Sequence, residues 1–281
     1  MIKTVESKFE KNDRKPEVAL TIGKTLLLFF VGWIGLQLLA TAAQILRCVA
    51  FNVSWTDIEL FLIAENSSQV PQTVKDVLGT SESNMLINGS VYIVAFIGLL
   101  AILNLDIKKF FDSFKNSKAF LAGLIGLAII YIFNILYSNI VDVFYPLTPN
   151  NNETSLDNII VVYPILSYLI FGLVGPIVEE LTYRVGLFDT CRKISKSRVL
   201  AYVITMIVFA FIHFEFGSVT KLLNGDPTLF INEILNMPKY LFAAATFVYL
   251  YEKYGLAGSL SCHVFNNFLS ISFVIINSLY E

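Results

Sequence analysis

The sequence predicts an all-α fold: a polytopic membrane bundle of about seven transmembrane helices, within a range of about six to eight. Three observations carry this. The 281 residues are 56% hydrophobic and 15% charged, whereas soluble domains are about 45–50% apolar and ~25% charged. The apolar residues come in blocks of about 18 or more, the length that crosses a hydrocarbon core. Lys and Arg collect on alternate connections, as membrane topology requires.

The elements follow in order. Residues 1–23 read as a polar tail, and the apolar run behind it is too long for the h-region of a cleavable signal peptide. The first span is read at 24–46, followed by an interfacial helix at 55–65. The second and third spans are read at 85–105 and 119–141, and a Pro- and Asn-rich loop follows. The fourth apolar stretch is long, 159–188; the fifth is 199–216. The sixth, 229–251, is interrupted by Pro238 and carries Glu233. The seventh is 256–279. These group as a tail (1–23), N-terminal membrane helices (24–158) and C-terminal core helices (159–281), in one membrane domain. With Arg184 set aside, fifteen Lys and Arg fall on the side of the N-terminus and four on the other. The N-terminus is therefore expected in the cytoplasm of a multi-pass cell-membrane protein.

The net charge of −2 gives no basic surface for nucleic acid. Cys48, Cys191 and Cys262 form no CxxC pair and no metal-ligand spacing.

Ionisable side chains at membrane depth are costly, so each is a functional candidate. Glu179, Glu180 and Arg184 lie in the fourth apolar stretch. The only two histidines, His213 and His263, also lie in apolar runs. A rise of about 1.5 Å per residue puts Glu179 roughly 14 Å, His213 roughly 21 Å and His263 roughly 10 Å from the cytoplasmic edge. The expectation is a cavity in the cytoplasmic half of the bundle. Glu180 and Arg184 are four residues apart and share a helix face, as an ion pair would. Glu179 is turned about 100° away and is the freer carboxylate, suited to acid–base work. His263 and Asn267 are also four apart; both can donate hydrogen bonds to an oxyanion. Tyr183 reads more simply as core than as a substrate contact. Cys262 points away from His263's face, so no Cys/His dyad is read.

In chain order, Glu179-Glu180-x-x-x-Arg184, Phe209-x-x-x-His213 and His263-x-x-x-Asn267 resemble the EExxxR, FxxxH and HxxxN motifs of the CPBP (Abi) family. That family includes the CAAX prenyl endopeptidases and proteins linked to bacteriocin processing or self-immunity. The resemblance covers about 163–279. It implies an intramembrane endopeptidase acting on a membrane-associated or lipidated peptide or protein. By motif position Glu179 would activate water with help from His213. His263 and Asn267 would form the oxyanion hole, and Glu180, Arg184 and Phe209 would shape the site. Many members are labelled metalloproteases, and Glu179, His213 and His263 could ligate zinc. No HExxH is present, and a Glu/His mechanism without a cofactor is favoured. A proton-coupled transporter and a non-catalytic immunity or scaffold protein of the same fold are the alternatives. The oligomeric state is not legible.

Overall fold

The computed structural model describes residues 20–64, 69–106, 108, 112 and 114–280. Most of the polar tail, including 1–19, lies outside the described residues. Among them every regular element is helical and there is no strand. The helices are α1 (Ile22–Ala50), α2 (Trp55–Ile63), α3 (Gln72–Leu78), α4 (Ser81–Leu103), α5 (Ser117–Asp142) and α6 (Asn151–Val162). They continue as α7 (Pro164–Ser195), α8 (Arg198–Phe211), α9 (Gly217–Leu223), α10 (Thr228–Tyr254) and α11 (Leu256–Ser278).

Local chemistry sets most starts. Thr21, Ser54, Thr80 and Ser197 each accept a backbone N–H of the first turn that follows, satisfying donors that a helix start leaves orphaned. Asn150 and Glu153 form a reciprocal capping box on α6. α7 begins where Tyr163 leaves the helical region and Pro164 takes the first turn, where its missing N–H costs nothing.

Among the described residues five helices are long and apolar enough to cross a membrane: α1, α4, α5, α7 and α11. Three of the seven expected spans differ. α10 has the length, with 27 residues, but carries Asn232, Glu233, Asn236 and Lys239. It also runs through Pro238 without a break. α8 stops at Phe211 after 14 residues, short of the expected Phe216. Tertiary bonds take over the backbone groups this releases. Asn150 Nδ2 donates to the His213 carbonyl at 3.3 Å, and the Glu215 N–H donates to Glu233 Oε2 at 3.1 Å. The fourth stretch also divides, into α6 and α7.

Small residues let the helices approach. A Cβ on Gly186 of α7 would stand 2.8 Å from the Phe29 backbone nitrogen of α1. A Cβ on Gly123 of α5 would stand 3.0 Å from the Cys262 nitrogen of α11. Close backbone approach of this kind is how helices associate in lipid, where no hydrophobic difference drives them together. α5 packs on both α10 and α11, and α10 packs on α8 and α11. The outward faces of α1 and α5 leave Leu38, Leu46, Leu121, Ile132 and Ile140 more than half exposed, as lipid contact requires.

The two ends of the bundle differ. One end holds Lys24, Arg192, Lys193, Arg198 and Lys253; the other holds the Thr148–Asn150 loop against α10. A cavity of about 550 Å³ lies toward this second end, with Asp142, Glu153 and Lys239 in its lining. Glu179, His213, His263 and Asn267, around which the sequence places a cavity in the cytoplasmic half, are not among its lining residues.

Candidate active site

α7 is not a uniform α-helix. Its α-helical turn Gly175–Glu180 lies between two π-helical stretches, Tyr168–Val174 and Leu181–Phe188. A π-turn just before Pro176 widens the helix where proline cannot donate, and such turns recur at functional sites. Glu179 and Glu180 close the α-helical turn. They point to different surroundings.

Glu180 is fully buried and has three partners. Ser259 Oγ donates to its Oε2 in a short contact, and His263 Nδ1 lies 2.9 Å from its Oε1. Arg184 Nε lies 3.2 Å from Oε2, with both side chains at 0% exposure. This last contact is Coulombic rather than a directed bond, because none of the three guanidinium nitrogens has a hydrogen-bond partner. The guanidinium is also placed over the Phe209 ring at 4.2 Å and near Phe247 at 5.2 Å, a cation–π arrangement strengthened by burial. The expected Glu180–Arg184 pair is present, and Glu180 is in addition the anchor of His263.

Glu179 keeps 14% of its side chain exposed. Tyr92 Oη, from α4, donates to its Oε1 at 3.1 Å. His263 Nε2 stands 3.6 Å from its Oε2. One imidazole therefore bridges two adjacent carboxylates, Nδ1 toward Glu180 and Nε2 toward Glu179. Phe247 stacks on that ring at 4.6 Å and fixes its plane.

Asn267, one turn beyond His263, donates from Nδ2 to the Phe171 carbonyl at 2.9 Å, inside the first π-helical stretch. Asn266 Nδ2 donates to its Oδ1 at 3.3 Å. An amide carries two N–H groups, so the Phe171 bond uses one of them. His213 lies in the turn after α8 rather than on the helix. Its ring stacks on Tyr240 of α10 at 4.6 Å. Phe209 stands edge-on to both imidazoles, at 5.4 Å from His213 and 5.9 Å from His263. Arg184 and His263 thus stand between the Glu180 carboxylate and the Phe209 ring, His213 joins them through Phe209, Glu179 through His263, and Asn267 is held instead at Phe171.

Among the described residues no group of three or more His, Cys, Asp or Glu is arranged to hold a metal. Glu179 and His263 offer two donors, while the His213 ring is stacked on Tyr240. The zinc set Glu179, His213 and His263 does not converge.

Sequence reasoning missed Tyr92, Ser259 and Tyr240. Tyr92 and Tyr240 are aromatics among many, and their contacts span 87 residues to Glu179 and 27 positions to His213. Ser259 carried the one available signal: it lies four residues before His263, on the same face of α11.

Residues 161–269 match the family described as type II CAAX prenyl endopeptidase Rce1-like. The chain is also similar to UPF0177 protein YvdC of Lactococcus lactis subsp. lactis (strain IL1403), with 26% identity over 126 residues. That alignment covers 42% of this chain, which spans about half the relative's length, 48%. No solved structure matches. The matched segment contains all three motifs and the side chains placed around Phe209, and over residues 161–269 the chain is similar to the Rce1-like family.

Proposed function

We propose that this protein is a multi-pass intramembrane endopeptidase that hydrolyses a peptide bond in a membrane-associated or lipidated peptide or protein. The observation that carries the reading is the buried chain Glu180–His263–Glu179 within the family segment. Glu180 and Arg184 cancel in charge. Glu179 and His263 then make a neutral site when one proton is held between them, the condition a desolvated site favours.

Glu179, steadied by Tyr92, takes a proton from water as the oxygen attacks the scissile carbonyl. The new oxyanion is met by the Nε2–H of protonated His263 and the second N–H of Asn267. His213 assists in proton handling. Glu179 returns the proton to the leaving nitrogen, the C–N bond breaks, and a carboxylic acid and an amine remain, the acid then passing its proton to the amine or to water. Glu180, Arg184 and Phe209 hold His263 and the cavity wall. No step requires a cofactor. Residues 159–281 form the catalytic core, and 24–158 support it, contributing Tyr92. The basic-rich end, with the N-terminus, is cytoplasmic.

The test is cleavage of a farnesylated, internally quenched CAAX-type peptide by the full chain in nanodiscs. Glu179→Gln should lower turnover about 10²–10⁴-fold while the protein stays monodisperse and helical. Full turnover by that variant would refute the Glu179 mechanism.

A further inference from the structure

The cavity of about 550 Å³ has the size of ligand sites in general, about 300–1,000 Å³, and no step above uses it. Its walls mix apolar side chains, Ile130, Ile135 and Ala243, with neutral polar ones where the helices should be apolar throughout. α5 supplies Asn134 and Ser138; α11 supplies Asn266 and Ser270. Each pair is four residues apart, so each forms a stripe along one helix face. Polar stripes inside a membrane bundle are expensive unless something pairs with them. Asn134 Oδ1 is buried with no hydrogen-bond partner. Charge appears only on Asp142, Glu153 and Lys239.

The cavity touches the candidate active site twice. Tyr240, in its lining, stacks on His213. Asn266, also in its lining, donates to Asn267. Amides and hydroxyls that both donate and accept suit the alternating N–H and C=O of an extended main chain. They suit an acyl chain poorly, since it can satisfy none of them. From Asp142 to Ile130 the α5 wall is about 18 Å long. At about 3.3 Å per extended residue it accommodates roughly five residues.

We propose that this cavity binds an extended segment of the substrate peptide, on one side of the scissile bond, entering from the basic-poor end of the bundle. The assignment rests on the endopeptidase reading above. It adds that recognition is through main-chain amides, so side-chain sequence within the segment matters little.

The test uses the full chain in phospholipid nanodiscs and the quenched farnesylated peptide, with two readouts. p-Benzoylphenylalanine in place of Asn139, an exposed lining residue, should crosslink to the peptide on irradiation. Ser138→Leu, which fills the cavity, should raise KM about tenfold with kcat within about twofold. Crosslinking without cleavage keeps the cavity assignment and overturns the endopeptidase reading. Cleavage with no peptide crosslink, or with an unchanged KM in Ser138→Leu, overturns the cavity assignment and leaves the endopeptidase reading standing. Crosslinking to phospholipid alone overturns the peptide as occupant. Neither cleavage nor crosslinking overturns both.

Discussion

Glu179 and Glu180 are neighbours in the chain and carry the same side chain, yet their surroundings are opposite. Glu180 is sealed, with Ser259, His263 and Arg184 around it and no exposure. Glu179 keeps one edge open and meets only Tyr92 and His263 among the contacts seen. A saturated carboxylate can hold structure but has no capacity left for a substrate. An unsaturated one beside it has that capacity. The pair teaches that a doubled acidic motif separates two tasks by a rotation of about 100°. His263 is the link between them, because its two nitrogens face one carboxylate each.

Four substitutions break or sharpen that contrast. The largest effect is expected from Glu179→Gln. Turnover should fall about 10²–10⁴-fold, the usual worth of a positioned base, with the thermal midpoint nearly unchanged. Turnover of the quenched peptide and a melting scan in the same detergent check both halves. Next comes Arg184→Ala, which leaves Glu180 buried without its cation. It should cost about 3–5 kcal/mol of stability, as breaking one side of a buried pair does, and the reading is the urea or heat midpoint of purified protein. An unchanged midpoint would mean that Ser259 and His263 suffice to hold Glu180. Ser259→Ala should be milder, about 1.5–3 kcal/mol, the range for a hydrogen bond to a charged group. It should also loosen His263, visible as a change in the pH profile of kcat. The smallest is Tyr92→Phe, which removes one donor from the half-open Glu179. Stability should drop by only about 0.5–1.5 kcal/mol, and the loss should appear mainly in kcat. A stability loss in Tyr92→Phe larger than in Ser259→Ala would reverse the assignment of the two carboxylates.

Legibility in the sequence followed the range of the interaction. The spans α1, α4, α5 and α11 could be read because lipid exposure imposes long apolar runs on the local sequence. The Glu180–Arg184 pair could be read because one helical turn separates its members. The end of α8 could not. The run Phe209–Phe216 is apolar almost throughout, and no glycine interrupts it before Gly217. The helix stops at Phe211 because Asn150 and Glu233, distant in sequence, accept the role of partners to the released backbone. The division of labour between the glutamates was half visible. Their angular separation follows from helix geometry, but His263 facing both does not, since it depends on how α11 lies against α7. The polar residues of α10 looked like a weak span and turned out to face the Thr148–Asn150 loop. There Asn232 and Asn236 exchange hydrogen bonds with Thr148 and Pro149.

The π-helical stretches of α7 make the chain length before the glutamate pair a counting device. In an α-helix each residue advances the azimuth by about 100°, so a one-residue deletion between Tyr168 and Val174 would turn everything upstream relative to Glu179 and Glu180. The Phe171 carbonyl would leave Asn267, although no motif residue had been altered. The number of residues in this segment is therefore constrained as well as their kind, since a Cβ on Gly172 would stand 2.6 Å from the Phe268 ring. A relative with one residue more or fewer there would carry intact motifs aimed at the wrong walls.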